Sequence, residues 1–260
     1  IQLKKKLHTI PNQKNAIPYI TSYYKKNWGF CITEKKRQYI LKNYKSSDKF
    51  KIVIQSEFKS NGKLNYGEYF IKGKSSKEIL ISTYICHPSL ANDNLSGIIV
   101  SMALMNYFNQ RKNKKSIRFL FLPETIGSIA YISRNLTSLK KNVVGGYILT
   151  CIGDDRGHSC MFTKYNNTIS DEALKEAYKK YKVNYKSHSF LHRGSDERQF
   201  CSPGVDLPLA SIFRTKYGEF PEYHNSLDDF NLVTYKGLKG GYKIAKQAII
   251  NIDNKIIPIA

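Results

Sequence analysis

Ile79-Leu80-Ile81-Ser82-Thr83-Tyr84-Ile85-Cys86-His87-Pro88-Ser89-Leu90-Ala91-Asn92-Asp93-Asn94-Leu95-Ser96-Gly97 runs from a β-branched apolar stretch into a turn rich in Pro, Asn and Asp. Apolar residues at helical spacing follow from Ile98 to Tyr107. The order predicts a buried strand, a tight turn and a helix, with His87 and Asp93 on the turn at the strand's C-terminal end. In open α/β sheets ligands and catalytic groups collect at that edge. An imidazole and a carboxylate on one short loop are a beginning for a Zn²⁺ site. Asn92, Asn94 and Ser96 are expected to cap the following helix. A cap leaves His87 unexplained. Cys86, its neighbour, is expected to point away, because side chains alternate along a strand.

Outward from this stretch, the pattern alternates between strand and helix. A short helix is expected at Glu34 to Leu41 within an otherwise irregular stretch from Ile1 to Tyr44. Lys49 to Phe58 and Leu64 to Lys72 flank Ser60-Asn61-Gly62-Lys63 and read as a β-hairpin. Helices are expected at Leu95 to Gln110, Ile126 to Leu139, Ser170 to Tyr181 and Lys239 to Ile252. Between them lie strands at Ser116 to Leu122, Val143 to Ile152, Cys160 to Lys164 and Leu207 to Arg214. Such alternation predicts an α/β fold with a mostly parallel sheet covered on both faces. Residues 1–45 are expected as an N-terminal segment, a remnant of an accessory region, and residues 46–260 as the catalytic domain.

The 260 residues, 41% hydrophobic and 13% aromatic, suffice for one large domain with a real core. No apolar run is long enough to span a bilayer, and no signal-peptide pattern opens the sequence. The chain starts at Ile1 and is expected to be a fragment of a longer protein. Its formal charge of +22 comes from 42 Lys and Arg against 20 Asp and Glu. These cations are mostly lysines scattered among Asn, Tyr and Ile, a surface an AT-rich genome would write. Nucleic acid and membrane are therefore not expected as partners. Five cysteines form no CxxC pair, which fits free thiols in a reducing cytoplasm.

Other candidate groups share the edge with His87. Glu124, in Leu122-Pro123-Glu124-Thr125-Ile126-Gly127-Ser128, lies just past an apolar strand. His224 lies among turn-formers in Glu222-Tyr223-His224-Asn225-Ser226-Leu227-Asp228-Asp229, where the two aspartates read as exposed caps before the last helix. Arg193-Gly194-Ser195-Asp196-Glu197-Arg198 is a polar loop in which Asp196 and Arg193 are candidates for holding substrate. His87, Asp93, Glu124 and His224 make a set suited to Zn²⁺, with an open position for water. A metal would acidify that water and a nearby carboxylate would take its proton, which points to hydrolysis of a carbonyl bond or a related acyl transfer.

With His87, the string Ala91 to Gly97, Glu124 with Gly127-Ser128, Ser195-Asp196 followed by Phe200 and Pro203-Gly204-Val205, and His224, the chain resembles the M28-type zinc aminopeptidases. It is similar above all to a bacterial aminopeptidase-like (DUF4910-type) branch sharing His-Pro-Ser, Pro-Glu-Thr-Ile-Gly-Ser and Gly-Ser-Asp-Glu-Arg-Gln strings. The resemblance implies a three-layer phosphorylase/hydrolase-like fold with a mixed, mostly parallel sheet. It also implies a two-zinc site: Asp93 bridges, His87 and a second Asp hold one ion, and a Glu and His224 hold the other, beside a Glu base. The chain departs from this twice. Thr150 stands where the second Asp should be, and a single Glu124 replaces the Glu-Glu pair. Glu124 is therefore either ligand, the slightly favoured role, or base, with one zinc expected and two allowed. The leading expectation is a metal-dependent, aminopeptidase-type hydrolase of a small peptide or amino-acid-derived substrate. The alternatives are a mononuclear acyl transferase or deacylase with a cyclase-like site, and a degenerate basic binding module.

Overall fold

The computed structural model describes residues 3–22, 27–57 and 59–256. In chain order its elements are β1 (Leu7–His8), β2 (Phe30–Cys31), α1 (Glu34–Asn43), β3 (Gly67–Ile71), β4 (Ser75–Tyr84), α2 (Ser96–Asn109), β5 (Lys115–Leu122), α3 (Ile126–Asn142), β6 (Val143–Leu149), β7 (Ser159–Met161), α4 (Ile169–Lys180), β8 (Lys186–His188), α5 (Glu197–Phe200), β9 (Leu209–Phe213) and α6 (Tyr235–Asn254). Seven strands form one sheet in the order β3-β5-β4-β6-β9-β7-β8. The β4–β5, β4–β6, β6–β9 and β7–β8 pairs are parallel, whereas β3–β5 and β7–β9 are antiparallel. The sheet is thus mixed and mostly parallel, as expected.

The period of two along β4 sorts its side chains between two cores. Ile79 and Ile81 face one side, where they join Ile117, Phe119, Tyr147 and Leu149 against Leu104 and Phe108 of α2, Leu174 of α4 and Ile249 of α6. Leu80 faces the other side with Leu120, Leu122 and Ile148, against Tyr131, Ile132 and Leu139 of α3 and Phe200 of α5. Helices on both faces make three layers. They also explain why the β4 run is apolar without alternation, since both faces are buried. Each of these large side chains contributes about 1.5–3 kcal/mol on burial. The sheet is therefore a rigid base for the loops at its edge.

α2 can approach the sheet because residue 97 is glycine. A Cβ there would stand 2.5–2.6 Å from Asn94 Oδ1, the Leu149 carbonyl and Thr83 Oγ1. Thr83 Oγ1 itself donates to that carbonyl at 2.8 Å.

The expected hairpin does not form. Residues 49–57 contain no strand, Phe58 lies outside the described residues, and only the second arm becomes β3. β3 pairs instead with β5, which is already backed by helices, whereas a free two-stranded hairpin is marginal in water. The β6 strand stops at Leu149, short of the expected Ile152, as Cys151 takes a left-handed φ of 46°. α6 begins four residues earlier than expected, capped by Thr234 Oγ1 accepting from Gly237 N. β8 and the single turn α5 carried too few residues for a period to register. Residues 13–19 lie against the loop that carries His224. Tyr19 N donates to the His224 carbonyl (2.8 Å), Ser226 N to the Ile17 carbonyl (2.9 Å), and Pro18 bridges Asn225. Among the described residues no helix is long and apolar enough to cross a membrane.

Candidate metal centre

From β4 the chain moves to β5 on one side and then to β6 on the other, so a crevice opens past their C-terminal ends. His87 follows β4, Glu124 follows β5, Thr150 follows β6, and His224 lies beyond β9. Ligand atoms of His87, Asp93 and His224 all lie within 4.8 Å of one another. Glu124 is not in that group. It joins His87 and Cys86 in a second one, with Oε2 3.9 Å from His87 Nε2.

Two buried atoms in the first group have no hydrogen-bond partner, Asp93 Oδ2 and His224 Nε2. They lie 3.0 Å apart without the alignment of a hydrogen bond. Burying a carboxylate oxygen and an imidazole nitrogen unsatisfied is costly, and a cation between them removes that cost. One carboxylate and two imidazoles with an open side suit zinc, so the donor set fits the ion that the sequence suggested. Burial holds His87 below its usual pKa despite the pull of Asp93, which favours the neutral imidazole that a metal would require. Tyr223 stacks on His224 with ring centroids 3.9 Å apart. Tyr19 approaches both His87 and His224, at 5.9 and 5.6 Å, so the N-terminal segment adds a wall to the site.

The turn that presents Asp93 is built differently from the expected helix cap. No side-chain cap bond is made at the start of α2. Asn94 Nδ2 instead donates to Thr83 Oγ1 and the Tyr84 carbonyl, Asn92 Oδ1 accepts from Gly153 N, and Ser96 Oγ donates to the Asn92 carbonyl. These side chains staple the turn to its neighbours because the turn is buried and water cannot serve it. Asp228 is likewise no exposed cap. It is buried, accepts from Asn92 N and Asp93 N, and burial beside Asp93 pushes its carboxyl up to about 6. Tyr84 donates its phenol proton to Asp93 Oδ1 and lies 2.6 Å from Thr150 Oγ1. Asp154 and Asp155 do not replace the missing aspartate. Asp154 is engaged by Thr215, Asn92 and Arg156 N, and Asp155 is exposed.

Glu124 stands at the rim on a turn whose next residue, Thr125, has a left-handed φ of 62°. Its Oε1 accepts from Ser195 Oγ at 2.6 Å. Burial pushes its carboxyl up to about 8, against the lowering effect of Ser195. Ser195 is held in turn by Glu197, whose Oε1 accepts from Gly194 N, Ser195 N and Tyr217 Oη. Asp196 is fully buried, with Oδ1 accepting from Thr125 N and Ser128 Oγ, so it braces the Glu124 turn. Arg193 is exposed and lies over the Phe190 ring, 5.2 Å from its centroid. Cys86 departs from the expectation. Its Sγ is 3.3 Å from His87 Nδ1 and accepts from Glu124 N. β4 ends at Tyr84, so strand alternation no longer sets the direction of Cys86. A cavity of about 360 Å³ opens beside His87, walled by Ile85, Pro88, Leu95, Ile98 and Phe230.

Residues 6–255 match the family described as a domain of unknown function, DUF4910. The chain belongs to the DUF4910 family. A Clostridium acetobutylicum protein named, provisionally, for polysaccharide biosynthesis and an aminopeptidase-like domain is 42% identical over 253 residues, 97% of this chain and 56% of that protein. The DUF4910 chain thus spans little more than half of this relative. A crystal structure from the same organism, described provisionally as a peptidase, superposes with a TM-score of 0.91 at 42% identity, over 97% of this chain and 58% of that one. Zinc aminopeptidase BSAP from Bacillus subtilis superposes with a TM-score of 0.62 at 19% identity, over 74% of this chain and 50% of that one. Aneurinibacillus sp. strain AM-1 aminopeptidase gives 0.65 at 18%, over 75% and 50%. At these low identities the likeness establishes that the DUF4910 domain has the aminopeptidase fold.

Proposed function

We propose that this chain is a metal-dependent, aminopeptidase-type hydrolase domain that cleaves an amide bond in a small peptide or amino-acid-derived substrate. The reading is carried by Asp93 Oδ2 and His224 Nε2, buried and 3.0 Å apart beside His87 with no aligned hydrogen bond to either atom. His87, Asp93 and His224 would hold zinc, which when bound supplies Lewis acidity toward a carbonyl and toward water. Glu124, outside that ligand group, is assigned the base. Its Oε2 faces the centre, its Oε1 is anchored by Ser195, and its carboxyl is tuned toward neutral pH by burial. After taking a proton from the attacking water, Glu124 would return it to the leaving amine. The apolar cavity beside His87 would take an aliphatic or aromatic side chain.

The test is turnover of a panel of aminoacyl-coumarin amides by the zinc-loaded protein and by Glu124→Gln. The variant should fold, retain zinc and lose about 10²–10⁴-fold in kcat. Undiminished turnover would remove Glu124 from this role. The name of the C. acetobutylicum relative favours one other reading, a deacylase acting on an amino sugar. Release of acetate from N-acetylated sugars with the coumarin amides left intact would select it.

A further inference from the structure

We infer that Tyr84 makes this centre mononuclear, by capping one oxygen of Asp93 so that only the other can bind a metal. The inference rests on the proposed metal reading and deepens it.

A carboxylate has two oxygens, and on Asp93 they meet opposite surroundings. Oδ2 is buried without a hydrogen bond and lies 3.0 Å from His224 Nε2. Oδ1 receives the phenol proton of Tyr84, a residue 2% exposed. A carboxylate can only accept here, so the one phenol proton is committed to it. The hydroxyl of Thr150, itself fully buried, then completes the phenol oxygen from behind at 2.6 Å. The space beside Oδ1, where a second ion would sit, is filled by an uncharged hydroxyl pair. Neither hydroxyl brings the negative charge or the lone-pair set of a carboxylate ligand.

The second group of candidate ligands does not offer an alternative seat. In Cys86, His87 and Glu124, the thiol accepts from Glu124 N and meets His87 Nδ1, and Glu124 Oε1 accepts from Ser195 Oγ, which leaves Oε2 facing His87 Nε2 at 3.9 Å. This group shares His87 with the first, so the two do not make independent seats. Tyr84 also stands 4.9 Å from His87, ring to ring, so one residue limits the freedom of two ligands. It is a positioning residue, acting through Asp93.

Metal content per chain tests this directly. Zinc bound after equilibrium dialysis would be measured by elemental analysis, and Co²⁺ loading followed by visible absorption and electron paramagnetic resonance. The wild-type chain should saturate at one ion, with an uncoupled Co²⁺ signal. The pair Tyr84→Leu with Thr150→Asp removes the plug and supplies a carboxylate, and should take a second ion. Tyr84→Phe, which keeps the core filled, should still bind one ion but about 10–100-fold more weakly, since Asp93 loses its orienting partner. Two ions in the wild type would overturn the inference and leave the hydrolase reading standing. A paired variant that folds and stays at one ion, or unchanged affinity in Tyr84→Phe, would also overturn it. No ion in the wild type would overturn the metal reading and this inference together.

Discussion

Asp228 holds Asp93 by its backbone, its two carboxylate oxygens accepting from Asn92 N at 2.5 Å and Asp93 N at 2.9 Å. The Asp228 carbonyl accepts from Ala91 N as well. Three consecutive amides of the turn that carries Asp93 thus close on one residue of the His224 loop. Asp228→Ala leaves two buried N–H groups unpaired, at a cost of about 1–3 kcal/mol for each. Its zinc affinity should fall about 10–100-fold, measured by chelator competition. Equal affinity in variant and wild type would show that the turn keeps its shape without Asp228.

Glu124 predicts a pH dependence of stability in metal-free protein. Its carboxyl is raised from 4.5 to about 8, so the folded state binds the proton more tightly than the unfolded chain. The stabilisation is complete below pH 4.5 and is lost as pH rises through about 8. Asp196 and Asp228, raised to about 6, act in the same direction but finish lower. The lowered histidines His87, His158 and His188 act oppositely, below about pH 6.5. Between pH 6.5 and 8 the melting temperature should fall, and Glu124→Gln should flatten that slope. An identical slope in the variant would place the titration elsewhere.

Ser195 is predicted to act on the rate through Glu124. In Ser195→Ala, Oε1 of Glu124 loses its donor, and the carboxylate loses a group that favours its charged form. We expect kcat to fall by about 10-fold with KM little changed, short of the roughly 10²–10⁴-fold carried by the proton-transferring group itself. The acidic limb of the pH–rate profile should move to higher pH. A shift to lower pH, or a change confined to KM, would contradict this role.

Gly97→Ala should destabilise the fold although its nearest neighbours include none of His87, Asp93 and His224. Its Cβ would meet the Leu149 carbonyl and Thr83 Oγ1 at 2.5–2.6 Å, so α2 must move away from the sheet. Overpacking of this kind costs about 1–3 kcal/mol, to be read from urea denaturation. A loss below a few tenths of a kcal/mol would mean that α2 shifts freely.

Much of this architecture was legible because it is local. The apolar run of β4, the turn after it and the periodic α2 each declare themselves within about ten residues, and they place His87 and Asp93 at the sheet edge. Glu124 and His224 were legible by type and loop context. What escaped was set by distant partners. Asp228 reads as a cap from its neighbours and becomes a brace only because Asn92 and Asp93, more than 130 residues away, come to it. Tyr84 reads as a core residue, and Thr150 as a lost ligand. Only their meeting across 66 residues gives the phenol a task. Ser195 lay in a loop already singled out, but for Asp196 and Arg193. The one available signal was a hydroxyl followed directly by two carboxylates, Asp196 and Glu197.

The pairing of residues 17–19 with 224–226 bears on the order in which the centre is made. His224 is backed by a segment more than 200 positions earlier, while His87, Asp93 and Glu124 lie on turns of the central βα units. Long-range pairings close late, after shorter loops. During synthesis the early segment must wait on the ribosome until its distant partner emerges. The centre is therefore completed near the end of folding, so a chain caught earlier would have its sheet built while His224 still stood apart from His87 and Asp93.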